Sequence, residues 1–321
     1  MPLDLLRVLG IVAIVAGHVW DNLFTREAIF TWHVPLFFFL TGYLWTTTRS
    51  LGTEVRKRSR TLLVPYVCWL VLISVPYVGL SVFRDSKQPA PLIGDILWGG
   101  AELGRPYSAF WFVTALFFAA VLLRSMQRLP RWTPWALSIV GLVVCYTYSS
   151  AVAALPLSLG VAVPATLFVL AGVSFRSVRE HIRRPAVLGA AALLVSGVLI
   201  ISGLSGPMDM KQADFGTPAL SVIVAAAISA GLILVAEHAI RWKGRVADWT
   251  TRLAAAGFMV VLTHAVVLWL LRTPPTGSWV DFGAALLLPW AAALTLALTS
   301  LSRYLLGVDR RRKKRLALGG L

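Results

Sequence analysis

Ten apolar runs, most of them close to twenty residues long, recur from one end of this chain to the other. About 20 apolar residues is the helical length that crosses the hydrocarbon core of a bilayer. In that solvent the backbone must satisfy its own hydrogen bonds, which leaves helices or closed barrels. The runs cover approximately 5–22, 34–48, 61–83, 108–124, 133–150, 157–175, 185–204, 217–238, 251–271 and 282–306. The expected fold is therefore all-α, a polytopic integral membrane helical bundle of about ten transmembrane helices. Composition agrees: 58% of the 321 residues are hydrophobic and 14% charged, with mean hydropathy +0.76, where a soluble domain carries roughly a quarter charged residues. A cytosolic enzyme, a disulfide-stapled module and a disordered regulator fit poorly. Cys68 and Cys145 both fall in apolar runs and read as small core residues. Pro65 and Pro76 predict a kink in the third run, and the small stretches Ala225–Ala227 and Ala291–Ala293 would suit close helix packing.

The net charge of +16 has the size of a nucleic-acid binder's, yet it is sorted into short loops. Arg7, the loops after runs two, four, six and eight, and the tail together hold 24 of the 30 basic residues, but only 6 of the 14 acidic ones. That asymmetry is the mark of cytoplasmic loops. It predicts a multi-pass protein of the cell membrane with both termini cytoplasmic, with membrane lipids as its surroundings and no nucleic-acid partner. Residues 1–308 read as a single transmembrane domain and 309–321 as a basic cytoplasmic tail, whose run Arg310 to Arg315 would attract anionic lipid. No cleavable signal peptide, internal repeat or appended soluble domain is expected.

Ionisable groups inside apolar runs are costly and so are functional candidates. Arg7 and His18 stand eleven residues apart in the first run, which at 100° per residue puts them within about 20° of one another and roughly 16 Å apart along the helix. His264 falls at a depth comparable with His18, and His33 opens the second run beside Trp32. His33 reads either as an interfacial anchor or as part of the chemistry. His181 and His238 lie among cytoplasmic basic residues and read as solvated. Asp4 reads as a first-turn carboxylate at a helix start. Trp111 fits an aromatic belt at the outer interface or a place in a site. No histidine has companions at metal-ligand spacing, so no metal is expected, and glycine-rich nucleotide loops are missing.

These residues form an ordered series. Leu3-Asp4, Arg7, ten residues and His18 resemble the opening of acyltransferase family 3, the integral-membrane O-acyltransferases. Phe37-Phe38-Phe39-Leu40-Thr41-Gly42-Tyr43-Leu44 is similar to its second-helix stretch, and Arg56-Lys57-Arg58-Ser59-Arg60 with Pro65-Tyr66 to the start of its third helix. Phe110-Trp111-Phe112-Val113 is similar to its Trp-Phe-Leu segment, and Gly257 through His264 to its late aliphatic-His segment. Two departures stand out: Ser108-Ala109 where the family often has histidine, and Met259-Val260 where it usually has tyrosine.

The resemblance implies transfer of an acyl group, commonly acetyl, from cytoplasmic acyl-CoA to a hydroxyl of a carbohydrate, glycolipid or small metabolite. His18 would be the base, assisted by His264. Arg7 with Arg56, Lys57, Arg58 and Arg60 would meet the coenzyme A phosphates, and Asp21, His33 and Trp111 would contact substrate; Asp21, three residues after His18, would orient its imidazole if helical spacing carries it to the same face. Imidazole suits the base because it is partly neutral at working pH, and guanidinium forks match phosphate oxygens. Ten helices with intramembrane charge would also serve a transporter or flippase for a lipid-linked sugar, or a structural subunit. The oligomeric state stays open, a homodimer included.

Overall fold

A computed structural model describes residues 1–309, so the basic run Arg310 to Arg315 lies outside the described residues. Among them the regular structure is entirely helical. In chain order the helices are α1 Pro2–Val19, α2 Leu23–Thr25, α3 His33–Tyr43, α4 Leu51–Arg58, α5 Val64–Asp85, α6 Pro89–Trp98 and α7 Phe110–Ser125. There follow α8 Thr133–Ala153, α9 Leu159–Arg179, α10 Pro185–Ile201, α11 Leu220–Ala239, α12 Gly244–Leu270, α13 Trp279–Leu296 and α14 Ser302–Leu305.

Every apolar run lies on a helix, and among the described residues eight helices are long and apolar enough to cross a membrane. The second and seventh runs are shorter: α3 has 11 residues and α10 has 17. At 1.5 Å per residue α3 reaches only about 16 Å, half the hydrocarbon thickness. It stops at Tyr43, so the run expected over 34–48 is helical only to Tyr43 and Thr46–Thr48 lie beyond it. The third run begins earlier than its apolarity suggested. Ser50 caps α4 by accepting a hydrogen bond from the Thr53 amide, and α4 continues through a π turn at Ser59–Leu63 into α5 as one 35-residue helix. Pro65 sits in the first turn of α5 directly after that turn. A π turn is where a helix can absorb the missing N–H of proline. The loop expected at 84–107 carries a helix of its own, α6, and the tenth run ends at Leu296 rather than 306.

Cys145 is buried and Cys68 partly so, both unpaired. Helix packing is closest at glycines rather than at the alanine stretches, although Ala225 and Ala293 are fully buried. A methyl group at Gly42 of α3 would fall on the Val169 carbonyl of α9, and one at Gly172 of α9 on the Phe39 carbonyl of α3. In hydrocarbon, where the hydrophobic effect does not drive helices together, such backbone approach is what holds a pair. Gly42→Ala or Gly172→Ala is therefore expected to destabilise the protein by about 1–3 kcal/mol, seen as a lower Tm in detergent. Gly79→Ala, whose added methyl meets nothing within 4 Å, should leave Tm unchanged.

The basic loops converge. Arg124 at the end of α7 hydrogen-bonds to the carbonyls of Thr46, Thr47 and Arg49, Arg176 at the end of α9 to those of Tyr43 and Trp45, and Asp4 accepts from Thr251 at the start of α12. This is called the inner end below, and the opposite one the outer end. His181 and His238 are exposed at the inner end.

Candidate active site

Both ends of α1 open into cavities. The outer one, about 500 Å³, is lined by His18, Asp21, Arg26, His33, Arg105, Trp111, Asp209 and Lys211 with apolar neighbours. The elements that build it run in opposite directions: α1 brings His18 near its C-terminal end, while α3 and α7 bring His33 and Trp111 at their starts. Trp111 is 6% exposed, so it is a wall of this cavity rather than a belt residue facing lipid.

Three histidines share one local arrangement. The Nδ1 atoms of His18, His33 and His264 lie 2.9, 2.8 and 2.9 Å from the carbonyl oxygens of Ile14, Ile29 and Val260, each one helical turn back. A carbonyl only accepts, so each neutral ring keeps its proton on Nδ1 and presents Nε2 as a lone pair. His18 and His264 meet edge to face with centroids 5.0 Å apart. Their access differs. His18 lines the cavity, whereas His264 is fully buried behind it, with Nε2 lacking any hydrogen-bond partner. His18 can take a proton from a hydroxyl in the cavity. His264 does not line that cavity and meets it only through the ring of His18.

Asp21 does not orient His18. The helix ends at Val19, and the Asp21 carboxylate instead accepts from Arg26 Nε at 2.9 Å. The residue that fixes the end of α1 is Arg105, whose guanidinium donates to the His18 carbonyl at 2.6 Å and the Thr273 carbonyl at 2.5 Å. Arg105, Asp209 and Lys211 come from loops and carry no helical periodicity that would have marked them in the sequence. Lys211 donates to the Leu103 carbonyl at 2.7 Å. Burial lowers its ammonium below the ordinary range and raises the neighbouring Asp209 carboxyl.

The inner cavity, about 370 Å³, is lined by Arg7, Arg49, Lys57 and Arg58 with Glu54 as the single acid. Glu54, 1% exposed, ties the wall together: its carboxylate meets Arg58 at 2.8 Å, Arg124 at 3.3 Å and Arg49 at 3.4 Å. Arg124 also lies 4.2 Å from the centre of the Trp45 ring. The cluster 56–60 is thus divided. Lys57 and Arg58 face the cavity, while Arg56 and Arg60 are exposed and contribute nothing to its lining. Arg7 reaches it while holding Asp4 at 3.0 Å. The two cavities approach one another at an aromatic contact, Phe37 of the inner lining against Phe112 of the outer, with centroids 5.6 Å apart. Among the described residues no group of three His, Cys, Asp or Glu side chains could hold a metal ion.

The arrangement therefore offers a lone-pair base in one chamber and a cluster of cations in the other, joined along a single helix face. Comparison with known proteins runs the same way. Nodulation protein NolL of Sinorhizobium fredii (strain NBRC 101917 / NGR234) is 28% identical over 160 residues, covering 46% of this chain and 42% of the relative. Nodulation protein NolL of Mesorhizobium japonicum (strain LMG 29417 / CECT 9101 / MAFF 303099) is 22% identical over 160 residues, covering 46% and 41%. The chain thus matches about two fifths of the length of these curated relatives. No solved structure matches it. The sequence profile of a family described as an acyltransferase domain matches residues 3–304, nearly the whole chain. On that match the chain belongs to acyltransferase family 3, the membrane O-acyltransferases that its motif series resembles.

Proposed function

We propose that this protein moves an acyl group, acetyl in the first instance, from acyl-CoA held at the inner cavity to a hydroxyl of a carbohydrate, glycolipid or small metabolite in the outer one. The cell membrane would be its location, with the inner end facing the cytoplasm. The observation that carries this reading is that Arg7 and His18 share one face of α1 and open into cavities at opposite ends of it. Four cations against one carboxylate suit the phosphates of coenzyme A, and the acyl-bearing arm would extend along α1 past Phe37 and Phe112 toward His18.

At His18 the acceptor hydroxyl gives its proton to Nε2 as its oxygen attacks the thioester carbonyl carbon. The tetrahedral adduct then expels the thiolate, and the proton on His18 passes to that sulfur. The products are an ester and free coenzyme A thiol, and His18 is returned neutral. The His264 ring, packed edge to face on His18, would then offer its unpaired Nε2 to the new N–H and so favour the charged ring where water is scarce.

The Lys57 ammonium lines the inner cavity and makes no side-chain hydrogen bond or ion pair among the described residues, so removing it breaks none of these. A charge-assisted contact is worth about 1.5–3 kcal/mol. Lys57→Ala should accordingly raise KM for acyl-CoA on the order of tenfold or more, with KM for the acceptor and the thermal midpoint unchanged. An unaltered donor KM would remove the inner cavity from the reaction.

A further inference from the structure

Positive charge is expected to be sparse at the outer end of a membrane protein, and here it is sparse but not scattered. Among the described residues only Arg26, Arg84, Lys87, Arg105, Lys211 and Arg272 stand at that end. Four of the six, Arg84, Lys87, Arg105 and Arg272, line a second outer cavity of about 780 Å³, with Asp85 as its one acid. The side chains of Arg84, Lys87 and Arg272 make no hydrogen bond or ion pair among the described residues. Four cations around a single carboxylate leave this cavity with a net positive charge, so the arrangement suits an anion.

A second observation points the same way. Thr273 lines this cavity and the His18 cavity alike, is 5% exposed, and its buried Oγ1 has no hydrogen-bond partner. Rotation of the side chain about Cα–Cβ would turn this unpaired hydroxyl toward the cavity, where it can donate to an oxyanion. Arg105, the other residue common to both cavities, spends two of its N–H groups on carbonyls and keeps the rest. The remaining wall is apolar: Leu80 and Leu270, both exposed, lead from the cations onto the outer surface of the helices, beside Trp269 and Tyr77. Basic pockets between transmembrane helices are fitted to lipid phosphates, and an apolar ramp next to the cations suits acyl or prenyl tails more than a freely soluble anion.

We infer that the cavity of Arg84, Lys87 and Arg272 binds the phosphate of an anionic lipid, its tails along Leu80 and Leu270 and its headgroup beside the His18 cavity. The site stands on its own geometry and does not depend on acyl transfer.

The test uses the full chain in nanodiscs of phosphatidylcholine with a minor share of phosphatidylglycerol, and native mass spectrometry without acyl donor. The native chain should retain phosphatidylglycerol over phosphatidylcholine. R84A/K87A/R272A should lose that retention at least about tenfold, a free-energy change of roughly 1.4 kcal/mol. The charge-preserving R84K/R272K should keep most of it, as should R128A/R131A/R183A at the inner end. Equal retention by the outer triple variant would overturn the site. Displacement of the lipid by inorganic phosphate would overturn the assignment to a lipid in favour of a soluble phosphate ester. Because no turnover is measured, a chain that binds lipid here but transfers no acyl group would contradict the proposed function alone.

Discussion

His18→Ala is expected to lower kcat for acyl transfer by roughly 10²–10⁴-fold, the range for loss of a positioned general base. The Michaelis constants of donor and acceptor should change little. The selectivity follows from geometry. His18 lines the outer cavity with Nδ1 committed to Ile14, so its Nε2 is the lone pair that a hydroxyl there can reach. Truncation removes that lone pair but leaves the guanidinium of Arg105 on the backbone carbonyl of residue 18, so α1 should stay in place and the protein should remain folded. His264→Ala should cost a smaller factor in kcat with both Michaelis constants preserved, because His264 touches the ring of His18 and not the cavity. Full activity in His18→Ala would return the protein to the transporter or structural readings.

The largest effect on stability is expected at Glu54. Its carboxylate is 1% exposed and faces three guanidiniums, one of which, Arg124, is itself 2% exposed and lies against Trp45. Breaking a buried ion cluster by deleting one partner leaves the others uncompensated, which costs about 3–5 kcal/mol. Glu54→Ala should therefore lower the thermal midpoint more than any single change in the inner cavity, and raise the donor KM as Arg49 and Arg58 lose their tether. Arg124→Lys should recover little of an Arg124 deletion. A single ammonium cannot span Glu54, Gln127 and the carbonyls of Thr46, Thr47 and Arg49 that the planar guanidinium reaches. A midpoint within a degree of native for Glu54→Ala would mean that water already screens the cluster.

The parts of this protein that follow a fixed period were legible in its sequence. Arg7 and His18 fall on one face of α1 because eleven residues make three turns, and each lines a cavity. The division of the 56–60 cluster was written in the same period: Glu54, Arg58 and Thr61 stand at i, i+4 and i+7 and all line the inner cavity. Hydropathy alone could not show it, because α4 is a polar helix leading into an apolar one. The shortness of α3 was hidden by the opposite accident, apolar residues continuing to Trp45 beyond the end of the helix at Tyr43. Asp21 misled because helical spacing was extended past Val19, where α1 stops. Arg105, Asp209, Lys211 and Thr273 had no local signature. They enter the site from loops whose paths are set by the helices they join, and only packing brings Lys211 to Leu103 or Arg105 to His18.

The most direct measurement places donor and acceptor on opposite sides of a sealed membrane. In proteoliposomes with the protein in one orientation, labelled acyl-CoA is supplied only at the inner end and a hydroxylated acceptor only at the outer. The two-cavity account predicts labelled ester on the acceptor side and free coenzyme A on the donor side, with neither formed by His18→Ala. Ester formed only when both substrates share one side, or equally well with His18 absent, would contradict it.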